Sequence, residues 1–321
     1  MPNSSAPSVS GRLPRLAAGW LAAGLLALSL AAGCAEKRPP TPVRLAPETA
    51  AEPPESVILR ATPAIAAGDA APAVYQQRGE AYYRMGQFEL AQKDFERARA
   101  SGGGAQAAYD LGTAAYMRQD YQKAVSHFSE AIAQDATMAK AYNNRGVAAF
   151  ALGQYDQAGA DFSAAAKLGG PDAAASLFNR ALAYQAQNEF DRAMADYDRV
   201  AAMDPSQTAA RNNKADILIT LRRYDEAAVE LDAALRLTPN DPDLFYNRAL
   251  TREKLGQYPQ ALEDYDRATK LRSNFAQAYR NRGVLRLRLQ MSREGCGDLA
   301  LACQLGFCGH FEKARNFGLC P

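Results

Sequence analysis

The chain has 321 residues, 48% hydrophobic and 22% charged, and a formal net charge of +2. A balance that even argues against a general electrostatic grip on nucleic acid. Two histidines and one tryptophan leave little material for a metal or cofactor centre, and none is expected.

Residues 1–33 read as an address rather than as structure. Arg12 and Arg15 precede an apolar run from Leu16 to Leu30, and Ala31, Ala32 and Gly33 then lead to Cys34. Residues 34–71 read as a tether. Pro39, Pro40, Pro42, Pro47, Pro53 and Pro54 predict extended, unpacked chain rising about 3.1 Å per residue. The stretch 57–71 is ambiguous, either a partial helix that caps the first repeat or more linker.

From Pro72 one pattern of about 34 residues recurs, with starts at 72, 105, 139, 174, 208, 242 and 276. Position 8 is small in each copy: Gly79, Gly112, Gly146, Ala181, Ala215, Ala249 and Gly283. Position 20 is small too, from Ala91 to Gly295, and position 24 runs Phe95, Phe128, Phe162, Tyr197, Leu231, Tyr265, Leu299. Small residues at 8 and 20 let two helices cross closely, and the side chain at 24 fills the space beside them. No such unit buries its own apolar face, so the copies must stack. The expected fold is all-α: seven helix-turn-helix repeats over 72–308 and a capping helix in 309–321.

This spacing resembles the tetratricopeptide repeat. The resemblance implies a right-handed α-solenoid whose first helices line a concave groove for a protein or an extended peptide. The approach to Cys34 resembles the bacterial lipobox, which implies cleavage before Cys34 and a palmitate-bearing lipid on its thiol. Ala35 follows, rather than the aspartate that holds many such lipoproteins in the inner membrane, so a periplasm-facing outer-membrane protein is expected. The membrane would be touched through the Cys34 lipid only. Similar lipoproteins act as adaptors in envelope assembly.

The copies can be read against one another. Position 7 is basic and position 23 acidic in six repeats, which predicts structural ion pairs such as Arg145–Asp161, Arg180–Asp196 and Arg248–Asp264. The repeat that loses the base, with Leu111, also loses the acid, with His127. Position 6 reads Asn144, Asn179, Asn213, Asn247 and Asn281 in five consecutive repeats. Each amide offers donors and an acceptor suited to peptide main chain. The run resembles asparagine ladders with which some family members grip peptides. Bonding between neighbouring helices is the competing role for the same amides. Phe150, Phe178, Leu182 and Tyr246, interleaved with them, would supply apolar contact. The carboxylate clamp of chaperone-binding members is absent, since Lys140 stands at position 2 but Asn144 at position 6.

Cys296, Cys303, Cys308 and Cys320 crowd the last repeat and its cap. In an exported chain four thiols read as two disulfides. Residues 296 and 303 of one helix would lie about 10.5 Å apart along its axis, too far to pair. If 309–318 returns as an antiparallel helix, the pairing is nested, Cys296–Cys320 and Cys303–Cys308. A zinc site with His310, or a redox-active pair, is the alternative. Arg280, Arg282, Arg286, Arg288 and Arg293 form a basic run, either a solvated face or a seat for an acidic partner. No nucleophile–base pair, phosphate loop or metal cluster suggests an enzyme.

Overall fold

A computed structural model describes residues 52–68 and 70–321. The leader, Cys34 and most of the tether lie outside the described residues. Among those described there are sixteen helices and no strand. A first helix, α1 (Pro54–Ala66), precedes the repeats. The repeat pairs begin with α2 (Pro72–Arg84) and α3 (Phe88–Ala100), α4 (Gly104–Met117) and α5 (Tyr121–Gln134), α6 (Ala139–Ala151) and α7 (Tyr155–Leu168), and α8 (Ala173–Ala186) and α9 (Phe190–Met203). Next come α10 (Thr208–Thr220) and α11 (Tyr224–Leu237). Then α12 (Pro242–Lys254) pairs with α13 (Tyr258–Leu271), α14 (Ala276–Arg288) with α15 (Ser292–Gln304), and α16 (Gly309–Asn316) closes the chain. The described residues fall into two compact units, one ending at Arg223 and one beginning at Tyr224.

Every first helix ends in the same way. Position 15 has a positive φ in all seven copies, at Gly86, Gln119, Gly153, Asn188, Arg222, Gly256 and Gln290. The next amide then reaches back to a carbonyl five residues earlier, as Gln154 N to Ala149 O does at 2.9 Å. This is a left-handed helix stop that satisfies carbonyls otherwise left open. It turns the chain sharply enough for the second helix to start two residues on, at position 17, which is aromatic in six of the seven repeats.

In the N-terminal unit the helices of a pair touch without space to spare. A Cβ placed on Gly79, Gly112 or Gly146 would lie 2.6, 2.6 or 2.7 Å from the ring of Phe95, Phe128 or Phe162. All three rings are buried, at most 1% exposed. First helices of successive repeats also approach one another, α2 with α4, α4 with α6 and α6 with α8, and so line one side of this unit.

In five of the seven repeats a guanidinium links the pair to the helix before it. Arg145 donates Nε and Nη2 to Asp161 at 2.9 and 2.6 Å, and Nη1 to Ser129 at 3.1 Å. Arg180 repeats this with Asp196 and Ser163, and Arg78 with Asp94 and Thr62. In the C-terminal unit Arg248 holds Asp264 and Asp232, and Arg282 holds Asp298 and Asp266. Lys214, with a single nitrogen, reaches Asp198 at 2.6 Å.

Thr62 shows what α1 is. It stands sixteen residues before Arg78, as Ser129 stands before Arg145 and Ser163 one residue further before Arg180. Counted back from the first repeat, α1 is in register as a lone second helix, with Val57 and Ala61 buried where positions 20 and 24 fall. Of the two readings open for 57–71, the capping helix is the one the structure holds, and it begins earlier, at Pro54, inside the stretch read as tether. Proline is tolerated there because the first turn of a helix needs no amide donor, and burial of Val57 and Ala61 against α2 favours the helix.

The C-terminal unit ends on a lone first helix. Its chain returns along α15, with Cys296 bonded to Cys320 across a Cα separation of 5.5 Å and Cys303 to Cys308 across 3.9 Å. Val284, Leu299, Ala314 and the Cys296–Cys320 bridge form a small core with Leu287, Phe311 and Leu319.

Replacing Gly146 by valine would drive two further methyls into the Phe162 ring. The expected outcome is a loss of about 2 kcal/mol, read as a lower midpoint of urea unfolding. An unchanged midpoint would mean that the ring has room to retreat.

Candidate functional site

The side of the N-terminal unit lined by first helices carries two layers, one polar and sunk, the other aromatic and partly open. The polar layer contains the position-6 asparagines. Asn144 and Asn179 are each 1% exposed, and Asn143 beside them is fully buried. Asn144 Nδ2 donates to the hydroxyl of Tyr109 in the preceding repeat at 3.0 Å, and Asn179 Nδ2 to Oδ1 of Asn143 at 3.1 Å. Asn213 Nδ2 donates to the Tyr197 hydroxyl at 3.3 Å, which in turn donates to Gln185. In the C-terminal unit Asn281 Nδ2 donates to the Tyr246 hydroxyl at 3.0 Å, and Asn247 is 3% exposed.

An open ladder of amides facing a groove is therefore not what the structure holds. The position-6 residue faces the preceding repeat, and its amide donates to a buried hydroxyl or side-chain carbonyl there. Tyr246 is corrected with it. That ring is 1% exposed and packs between Tyr265 and Phe275, at centroid distances of 6.1 and 4.9 Å. Leu182 is also buried, while Phe178 is half-buried against Tyr197. Of the four apolar candidates, Phe150 and Phe178 keep accessible surface.

Phe150 has company that sequence reasoning missed. Position 12 of the first three repeats is Tyr83, Tyr116 and Phe150, all half-buried. Each leans on the position-17 ring of its own repeat: Tyr83 on Phe88 at 5.4 Å, Tyr116 on Tyr121 at 5.4 Å, Phe150 on Tyr155 at 5.0 Å. Tyr116 and Phe150 pack on one shared cluster with Val147 and Ala183. Burial, then the nearby Tyr121 and Tyr83, raises the pKa of the Tyr116 phenol, so the hydroxyl stays neutral. The signal was available: an aromatic at a fixed repeat position on the first helix.

Beside this strip lies a charged group. Gln106 Nε2 donates to Asp110 at 2.6 Å, and Lys140 Nζ donates to Gln106 at 2.8 Å while standing 4.5 Å over the Tyr109 ring. Asp110 is 4% exposed. Burial pushes its pKa up to about 7, opposed by the Gln106 hydrogen bond and the Lys140 charge and assisted by Glu80. Glu80, half-buried, is itself raised by burial against the pull of Arg84.

The four cap sulfurs are paired two by two, so they are not available as thiolate ligands and the zinc alternative loses its donor set. Among the described residues no group of three His, Cys, Asp or Glu side chains is arranged to hold a metal ion. No helix among them is long and apolar enough to cross a membrane.

Stacked helix pairs with a repeated close crossing define a class of helical repeat protein, and comparison gives the family. Tetratricopeptide repeat models match residues 77–139, 143–195 and 178–242, together half of the chain, and others match 230–263 and 254–290. The chain belongs to the tetratricopeptide repeat family. It is similar to a tetratricopeptide repeat protein of Parabacteroides merdae, at 18% identity over 77% of this chain and 98% of that one, with a TM-score of 0.58. The C-terminal part of a repeat protein from Cytophaga hutchinsonii matches at 15% identity over 70% of this chain and 93% of that one, with a TM-score of 0.60. At these identities the likeness is one of fold. No curated protein matches the sequence.

The buried layer generates two expected outcomes. Asn144→Ala removes the donor to Tyr109 and should lower stability by about 1–2 kcal/mol in thermal or urea unfolding. Asp110 has a folded-state pKa raised above its ordinary range, so the neutral acid is the form that the fold favours. Its contribution is complete below about pH 4 and is lost as pH rises through about 7. Asp110→Asn should therefore be increasingly more stable than the native chain as pH is raised across that window. A pH-independent difference between the two melting curves would contradict the assignment.

Proposed function

We propose that this protein is a lipid-anchored periplasmic adaptor that holds partner proteins, or extended segments of them, on the first-helix side of its repeats during envelope assembly. The observation that carries the binding role is the strip of Tyr83, Tyr116 and Phe150, rings that recur once per repeat and remain half-open. Aromatic side chains on a rigid scaffold give large contact area with little ordering penalty, and they dominate protein interfaces. Gln106 and Lys140, both half-buried and hydrogen-bonded to each other, supply polar contacts near it. The lipobox-like approach to Cys34 supports the anchor, and Ala35 supports the outer membrane.

Crosslinking in intact envelope, followed by capture of the full chain and mass spectrometry, tests both parts. Tyr116→Ala combined with Phe150→Ala should reduce recovery of the captured partner about tenfold while the chain stays folded. Undiminished recovery would place the binding surface elsewhere. Cys34→Ser should release the protein from the membrane fraction, and retention there would remove the lipid anchor from the proposal. Iodoacetamide labelling before and after reduction, on the same preparation, distinguishes structural disulfides from a redox-active pair.

A further inference from the structure

The second helix of the last repeat drops a contact that the two before it make. In the C-terminal unit position 25 of a second helix receives the position-7 base of the next repeat: Arg248 donates to Asp232 at 2.7 Å and Arg282 to Asp266 at 2.6 Å. In α15 position 25 is Ala300, and the next element is the eight-residue α16 in place of a full first helix. The cap covers part of the face that α15 presents. Ala314, Leu319 and Cys320 pack there with Cys296 and Leu299. Beside this small core the structure leaves a recess of about 490 Å³.

The lining of the recess is mostly apolar. α15 contributes Cys296, Gly297 and Ala300, and the cap contributes Phe311, Leu319 and Pro321. Two glycines flank Cys296, and they are small for different reasons. A Cβ on Gly295 would lie 2.9 Å from Leu287 and 3.0 Å from the Gly283 carbonyl oxygen, so that glycine lets α14 and α15 cross. A Cβ on Gly297 would meet nothing within 4 Å, and Gly297 is exposed. Packing does not require a glycine there, and glycine inside a helix weakens it relative to alanine. What Gly297 does is leave the recess open.

The polar side chains of the lining are Ser292 and Arg293, in the first turn of α15. Arg293 is exposed and has no carboxylate partner among the described residues, unlike Arg282 and Arg286 of α14, which share Asp298 and Asp266. Glu294 and Glu312, the acids nearest in sequence, do not line the recess. Ser292 and Ala300 stand about 12 Å apart along the helix axis, so the polar end and the apolar body are separated.

We propose that this recess binds a long-chain carboxylate, with the alkyl chain along Gly297, Ala300 and Phe311 and the carboxylate on Arg293 and Ser292. Size decides the class of ligand. A three-turn helix about 10 Å across and 16 Å long fills about 1,300 Å³, far more than the recess holds. Small ligands occupy cavities of about 300–1,000 Å³, with apolar walls and a few polar groups that fix orientation. Apolar lining takes methylenes, and one guanidinium beside one hydroxyl takes a single anion.

The test uses the full chain in envelope membranes with photoreactive alkyl carboxylates, octanoate to dodecanoate, and the primary amide of each as its neutral match. After photolysis, mass spectrometry of the digested chain should find the label within 292–300 and 311–321. Half-saturation should tighten about threefold for each methylene added until the recess is full. The carboxylate should label about tenfold better than its amide, and Arg293→Gln should abolish that difference while labelling by the amide holds. Gly297→Leu fills the recess, so labelling should fall about tenfold. Its melting temperature should hold or rise, because the new side chain enters open space and leucine favours a helix. Label scattered over the chain, or undiminished in Gly297→Leu, would overturn the proposal. So would equal labelling of the native chain by carboxylate and amide. Copies that crosslink to one another through α15, and separate in Gly297→Leu, would show a second chain on this face and refute the ligand as well.

Discussion

In five of the seven repeats a position-7 guanidinium is shared among three helices, and the register of the stack rests on that sharing. It sits on the first helix of a pair, grips the second through a two-point contact with the position-23 carboxylate, and extends its remaining nitrogen to the helix before it. The planar fork of arginine makes this possible, because one face of the group matches a carboxylate while a third donor points away. Lys214 has a single ammonium in place of the fork, and it too reaches the helix before it, at Asp198. Desolvation offsets much of the attraction in such half-buried pairs. Their value lies in register: a helix shifted by one residue would leave a carboxylate buried and alone.

The same device explains the ends. At the N-terminal end Thr62 of α1 accepts from Arg78, so the first complete repeat is covered by half of another. In the C-terminal unit α16 covers α15 and is too short to continue the array, so Cys296–Cys320 and Cys303–Cys308 hold in place a helix whose buried area alone is small. Both caps meet the requirement that a stack present no bare apolar face at either end.

Between the caps, residues divide by reach rather than by chemistry. Asparagine is short and stands where first helices meet, so its amide is consumed in joining them. The rings at position 12 are long and stand at the open edge of the crossing, where they lean on a position-17 ring yet keep one face accessible. The open edge of the N-terminal unit is therefore aromatic where the pattern of amides suggested it would be polar.

The repeat period, the helix pairs and the position-23 partners of the position-7 arginines were legible, because each is a local pattern copied six or seven times in one chain. Small residues at 8 and 20 with a ring at 24 leave one way for two helices to cross, and the chain states this repeatedly. The fate of the asparagines was not legible. Position 6 lies on the border between the groove and the next repeat, and a rotation of the helix by a fraction of a turn moves it from one to the other. That rotation is set by how closely consecutive first helices approach, as α4 approaches α6, which is a property of packing between repeats. The helix at Pro54 was half legible, because 57–71 read equally as a capping helix or as linker. Its proline-rich sequence favours an extended chain in isolation, and the burial of Val57 and Ala61 against α2 reverses that preference only once the repeat beside it has folded.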